Sequence, residues 1–247
     1  MGNDQIWDSE VARNYDTPGR GMFAPQVVEP TVSRLVELAA GGRALEFAVG
    51  TGRIAIPLVE RGVSVTGIEL SIPMIEQLRA KMNESLLPVI EGDMATTRAP
   101  GTFTLVYLVY NTISNLLSQQ EQVACFHNAA RHLGVGGRFV IELAVPQLQT
   151  SPAGCKASVF RSSDDYIGVD TYDIVNQRMV SHHFRFNEEG ETTLFRTPHR
   201  YIWPSELDLM AQLAGFQLES RHADWMGSEF TWESRSHVSV YTLMSSA

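Results

Sequence analysis

Between residues 44 and 143 the chain alternates two patterns: short apolar runs that stop at polar residues, and stretches in which apolar side chains recur every three or four positions. The runs at 44–49, 63–68, 87–91, 103–109 and 138–143 predict buried strands, and the periodic stretches predict the helices that cross between them. Ser71 caps one such helix, which continues through Met74, Ile75, Leu78 and Met82. Another, over residues 119–133, carries Val123, Phe126, Ala130 and Leu133 on one face. Gly50 and Gly52 close the first run. Pro57 then sets the start of the next helix at Gly52 or Arg53, because a proline costs least at or near the first turn. Upstream, Val32, Leu35, Val36, Leu38 and Ala39 predict an amphipathic helix from Pro30 that Gly41 and Gly42 end.

Five strand-helix repeats with crossover connections specify an α/β fold, a doubly wound and mostly parallel sheet with helices on both faces. Ligands of such sheets bind beyond the carboxyl ends of the strands, and Glu46, Glu69, Asp93, Asn111 and Glu142 lie at or near those ends. The rhythm breaks at Pro146. Residues 157–203 read as three or four strands rich in Val, Phe, Tyr and Thr, with 187–190 as a hairpin turn, so an antiparallel insertion follows the fifth strand. A helix opened by Pro204 and strands near 216–223 and 237–243 bring the main sheet to seven strands. At the other end, Pro18, Gly19 and Gly21 forbid a continuous helix in residues 1–25, which predicts a flexible arm or lid.

Composition narrows the partners. With 28 acidic against 19 basic residues the net charge is -9, and no cluster of lysine or arginine interrupts it, which disfavours nucleic acid and leaves a small-molecule substrate. Cys125 and Cys155 lack metal-ligand spacing and predict free thiols, with no metal site. The first residues carry neither a basic segment nor the apolar core of a signal peptide, and no run approaches a membrane span, so the expected compartment is the cytoplasm, away from membranes. The oligomeric state is not readable.

Gly50 and Gly52 let the backbone turn sharply and approach a ligand, while the first amides of the following helix are free to donate. Glu69 ends the second strand, where a carboxylate can accept two hydrogen bonds from a ribose diol. In this order, Leu45-Glu46-Phe47-Ala48-Val49-Gly50-Thr51-Gly52, Glu69-Leu70-Ser71 and Gly92-Asp93-Met94 resemble the first three motifs of the class I S-adenosylmethionine-dependent methyltransferases. Tyr110-Asn111-Thr112-Ile113 and Leu133-Gly134-Val135-Gly136-Gly137 occupy the places of later motifs. The resemblance covers residues 40–145 closely, and it departs from the family at Ala48, where glycine is usual.

The resemblance implies a Rossmann-like core at 30–146 and 204–247, an arm at 1–29 and an inserted β cap at 147–203. It further implies that Glu46, Ala48, Gly50 and Gly52 surround the methionine end of S-adenosylmethionine, Glu69 its ribose, and Leu70, Asp93 and Met94 its adenine. Met74 and Tyr110 belong to the same implied set, Asn111 lines the reaction face, and Tyr15 and Arg20 close over the cofactor. The activity implied is transfer of a methyl group to oxygen or nitrogen of a small molecule by in-line displacement. Two alternatives are a NAD-dependent oxidoreductase, for which Ala55 is a permitted third position of the glycine fingerprint, and a non-catalytic S-adenosylmethionine-binding protein.

A sulfonium is already an activated leaving group, so a base is needed only for a hydroxyl or a protonated amine. Glu142, His182 and Tyr172 are the candidates. His182 and His183 alternate to opposite faces of a strand, and His182 shares its face with Val180, Phe184 and Phe186, a setting that also suits a packed core histidine. Phe195, His199, Tyr201 and Trp203 alternate onto one aromatic face, and residues 225–230 link the last two strands where they can rim the site.

Overall fold

The computed structural model describes residues 7–148, 154–187 and 189–245. The first motif strand, β1 (Ala44–Phe47), pairs in parallel with both β2 (Val65–Glu69) and β4 (Phe103–Leu108). Beyond them lie β3 (Val89–Glu91) and β5 (Leu133–Ala144), also parallel, and β11 (Ser236–Leu243) runs antiparallel between β5 and β10 (Phe216–His222). The order is β10-β11-β5-β4-β1-β2-β3. Chain direction across the sheet therefore reverses at β1, and the crevice of a doubly wound sheet opens where it reverses, above the ends of β1 and β4.

Right-handed crossovers in opposite directions put helices on opposite faces. The helices α2 (Pro25–Ala39), α3 (Ala55–Glu60) and α4 (Ile72–Arg79) bury Val32, Leu35, Leu58 and Leu78 against one face, with Leu105, Tyr107, Val140 and Val240 of the strands. On the other, α5 (Gln119–His132) and α6 (Pro204–Leu213) bury Phe126, Leu207 and Met210 against Leu45, Phe47, Phe139 and Tyr241. Phe126 stands edge-on to Phe139 and Tyr241 at 5.2 and 5.9 Å, contacts worth about 0.5–1.5 kcal/mol each beyond their area. Ser118 and Glu121 form a reciprocal capping box that starts α5.

Several boundaries differ from expectation. The helix α2 begins at Pro25 and runs through Pro30, because burial of Thr31, Val32 and Leu35 outweighs the one amide that Pro30 cannot donate. The helix α3 begins at Ala55, so the loop after β1 is longer than predicted. The glycines at 134–137 lie inside β5 and do not precede it.

The insertion is a separate antiparallel sheet of four strands, β6 (Ala157–Ser163), β7 (Tyr166–Asp173), β8 (Arg178–Phe186) and β9 (Thr192–Arg200). Of the predicted hairpin, Glu188 lies outside the described residues, as do residues 149–153 of the cap and 1–6 of the arm. The sheet is moored where β9 meets the helices. The buried Arg200 guanidinium donates to Gln122 Oε1 (2.5 Å), Gln177 Oε1 (3.1 Å) and Glu206 Oε1 (2.7 Å), and its carbonyl accepts from Gln122 Nε2 (3.0 Å). Burial alone would raise the Glu206 carboxyl, but the hydrogen bonds from Arg200, Gln177 and Gln119 hold it below the ordinary carboxylate range. Among the described residues no helix is long and apolar enough to cross a membrane.

Candidate active site

The loop after β1 is held open by its own glycines. Gly50 has φ 56° with open space where a Cβ would stand, and Gly52 has φ 85°. The Gly50 amide donates to Glu69 Oε2 and the Ser71 amide to Glu69 Oε1, both at 2.8 Å. These two bonds orient the carboxylate at the end of β2 and leave it further lone pairs. Burial raises its pKa, against the pull of the Ser71, Gly50 and Leu70 amides. The Glu69 carbonyl accepts from Gly92, which brings the end of β3 alongside; there Asp93 Oδ1 accepts from the Ala95 amide (2.6 Å) and Met94 is buried. Leu70 is exposed and Met74 is buried in the first turn of α4. Glu69, Leu70, Asp93 and Gly50 thus meet on one side of the crevice.

Glu46 is placed differently from its implied role. Strand alternation turns it to the α3 face, where it is 3% exposed and accepts from Tyr107 Oη (2.8 Å) and the Ala55 amide. Burial pushes its pKa up to about 8, against the pull of Tyr107, Arg53 and Ala55. It braces the loop from beneath: Tyr107 is its partner across β4, and Ala55 begins the helix that the loop feeds.

Backbone strain gathers at the crevice. Of the five non-glycine residues with positive φ among the described residues, Ala48 (52°), Tyr110 (57°) and Asn111 (62°) all stand there, each costing about 1–2 kcal/mol. At Ala48 the left-handed conformation explains why a glycine suits the position. Tyr110 and Asn111 are pinned by β5: Glu142 Oε2 accepts from the Tyr110 amide (2.9 Å), the Glu142 carbonyl from the Asn111 amide (3.2 Å), and Asn111 Oδ1 from the Ala144 amide (2.5 Å). Glu142 is therefore committed to the exit of β4.

The predicted flexible arm is a docked cover from residue 7 onward. It contains α1 (Ser9–Arg13), capped by Asp8, and a 3-10 turn at Gly21–Phe23. Asp16 takes the Thr51 hydroxyl at 2.6 Å and Lys81 Nζ at 2.5 Å, Ser71 Oγ donates to the Trp7 carbonyl (2.7 Å), and Arg53 donates to the Met22 carbonyl (3.1 Å). Tyr15 is wedged edge-on between Trp7 and Phe23, and burial pushes its phenol up to about 12. Arg53 lies over the Tyr110 ring at 5.1 Å, and Arg20 is exposed on the arm. No local sequence pattern marks Asp16, Arg53 or Tyr107, because the partner of each lies in another element.

The base candidates are not brought together. His182 and Tyr172 occupy opposite faces of the cap sheet. His182 is hydrogen-bonded to Thr171 Oγ1 (3.0 Å) and to Arg196 (3.3 Å), so it is paired in the cap and not packed in a core. Tyr172 lies beside Asp170, Ser158 and Tyr201. His199 does share a face with Phe195, and burial pushes it down to about 4. The 225–230 segment divides: Trp225 faces α2 at Pro30, Ser33 and Arg34, while Phe230 turns to the end of β5 at Val145.

Residues 44–137 match a family model described as a methyltransferase domain. The CcbJ methyltransferase from Streptomyces caelestis is 34% identical and superposes with a TM-score of 0.84 over 98% of this chain and 97% of that one. The chain belongs to the S-adenosylmethionine-dependent methyltransferases. A curated relative from a Streptomyces species, cypemycin N-terminal methyltransferase, is 26% identical over 252 residues, 97% of this chain and 98% of its own. The fold is also that of S-adenosylmethionine-bound CalS10, an amino pentose methyltransferase from Micromonospora echinaspora (TM-score 0.69, 18% identity, 93% and 94% covered). The cofactor of this methyltransferase is S-adenosylmethionine, and the crevice fits it: a carboxylate with spare lone pairs stands beside a glycine loop with room for close approach.

Proposed function

We propose that the methyltransferase acts on the nitrogen of a small-molecule amine. The observation that carries this is the commitment of Glu142. The Glu142 carboxylate accepts the Tyr110 amide and so pins a strained turn, and taking a proton from a hydroxyl would weaken the charged acceptor that holds that turn. A neutral amine brings its own lone pair and needs only alignment. The relative named as an N-terminal methyltransferase supports the same choice.

When bound, S-adenosylmethionine supplies a methyl group already activated by its sulfonium. The chain's own residues do the rest. Glu69 would accept the ribose hydroxyls with the lone pairs that Gly50 and Ser71 leave free. Leu70, Met94 and Asp93 would hold the adenine. Gly50, Gly52 and Ala48 would border the methionine end, with Met74 behind and Arg20 and Tyr15 covering it from the arm. Tyr110 and Asn111 line the reaction face, Glu142 and Glu46 position the two loops from behind, and Arg53 joins the arm to Tyr110. The arm (1–29), core (30–146 and 204–247) and cap (147–203) act as cover, scaffold and wall, and the enzyme works in the cytoplasm.

The test is transfer of labelled methyl to matched amine and hydroxyl acceptors. Products confined to amines support the reading, and products on the hydroxyl partners overturn it. Calorimetry with S-adenosylhomocysteine checks the cofactor half independently.

A further inference from the structure

A hollow of about 620 Å³, open to solvent, lies at the end of β5 and is lined by Val145, Phe230, Thr231, Trp232 and Ser234. It lies at the same edge of the main sheet as the crevice, where β5 ends. Val145 follows Ala144, whose amide holds the Asn111 side chain, so the cavity begins one residue from the reaction face. Its wall is built and not loose: the Val145 amide donates to the Arg235 carbonyl (2.9 Å), Thr231 and Ser234 bond each other through amide, carbonyl and hydroxyl, and His222 bridges Glu229. On this braced turn Trp232 is 83% exposed. A tryptophan carries the largest apolar surface of any side chain, and holding it in water on an ordered wall leaves that surface free for a ligand.

Building on the proposed nitrogen acceptor, we infer that this cavity binds the apolar, aryl or alkyl body of the amine, with Trp232 as the specificity-determining residue. The amine end then lies toward Tyr110 and Asn111, and the apolar end packs on Trp232, Phe230 and Val145. The preferred acceptors are hydrophobic amines, and small polar amines bind weakly.

The experiment uses the full chain with nitrogen-15 in its tryptophan indoles, saturated with S-adenosylhomocysteine, and the Trp232 signal assigned by its loss in Trp232→Phe. Titration with 2-phenylethylamine shifts the Trp232 signal saturably, whereas ethanolamine does not. Trp232→Ser weakens 2-phenylethylamine at least tenfold and leaves S-adenosylhomocysteine affinity within twofold. An unmoved Trp232 signal, equal binding by Trp232→Ser, or a shift that follows protein concentration without amine overturns the subsite, the last assigning the wall to contact between copies. Methyl transfer to 2-phenylethanol with the same Trp232 shift overturns the nitrogen reading and leaves the subsite standing.

Discussion

At the β1–β3 side of the crevice, Gly50, Glu69, Ser71 and Gly92 contact one another across consecutive strand-helix units. At the β4–β5 side, Tyr110 depends on Glu142, Asn111 on Ala144, and Val145 on Arg235, while the cap is fastened by Arg200 to α5 and α6. The first side repeats a short-range construction and, on the function proposed above, serves one invariant ligand. The second is assembled from distant segments, and there an insertion or a different loop can change the acceptor without touching the cofactor. A division of labour of this kind predicts that damage to one side leaves the other working.

Beneath both sides lies Glu46, and it tests the frame they share. Its folded pKa, about 8, is raised above the ordinary 4.5, so the folded chain keeps a proton that the unfolded chain has released. That contribution to stability is complete below the unfolded value and is lost as pH rises toward 8. Denaturant midpoints of the natural chain fall across that window, and in Glu46→Gln the fall flattens; a parallel decline in the variant would remove Glu46 as its source.

Glu142→Ala frees the Tyr110 amide and relaxes the strained turn. Turnover drops by about 2–3 kcal/mol of transition-state stabilisation through lost alignment, with cofactor affinity within twofold. Steady-state rates and calorimetry on the same preparation read both, and a matching loss of cofactor affinity would erase the proposed separation. Glu69→Ala does the reverse, weakening the cofactor by about 1–3 kcal/mol. Because the raised Glu69 carboxyl accepts the diol best when ionised, natural-chain affinity falls as pH drops through its pKa, and the variant loses that dependence. The smallest effect belongs to Ala48→Gly. Relief of about 1–2 kcal/mol of left-handed strain, less about 0.4–1 for the freer unfolded chain, raises stability by roughly 0.5–1 kcal/mol in thermal melts. A drop would mean that the Ala48 methyl's packing on the core outweighs its strain.

Much of the β1–β3 side of the crevice is legible in the chain, because it is written locally. Apolar runs ending in polar residues mark strand ends, and strand ends of a doubly wound sheet converge on one crevice, so Gly50, Glu69, Asp93 and Asn111 could be grouped before any coordinates. The same local signals set the seven strands and the antiparallel insertion. They misjudged the ends of α2 and β5, where burial of Val32 or pairing along Leu133–Ala144 outweighs the preferences of Pro30 and the glycines.

The remaining decisions belong to the tertiary structure. Alternation puts Glu46 on one face of β1, but only the packing of α3 and Tyr107 makes that face a closed, dry one. Glu142 has the composition of a base and becomes a brace because β5 runs beside β4 in a particular register. Trp232 looks like any loop tryptophan until the Val145 pairing brings its loop beside the end of β5. Each of these depends on contacts between segments far apart in sequence, and such contacts exist only once the chain has closed on itself.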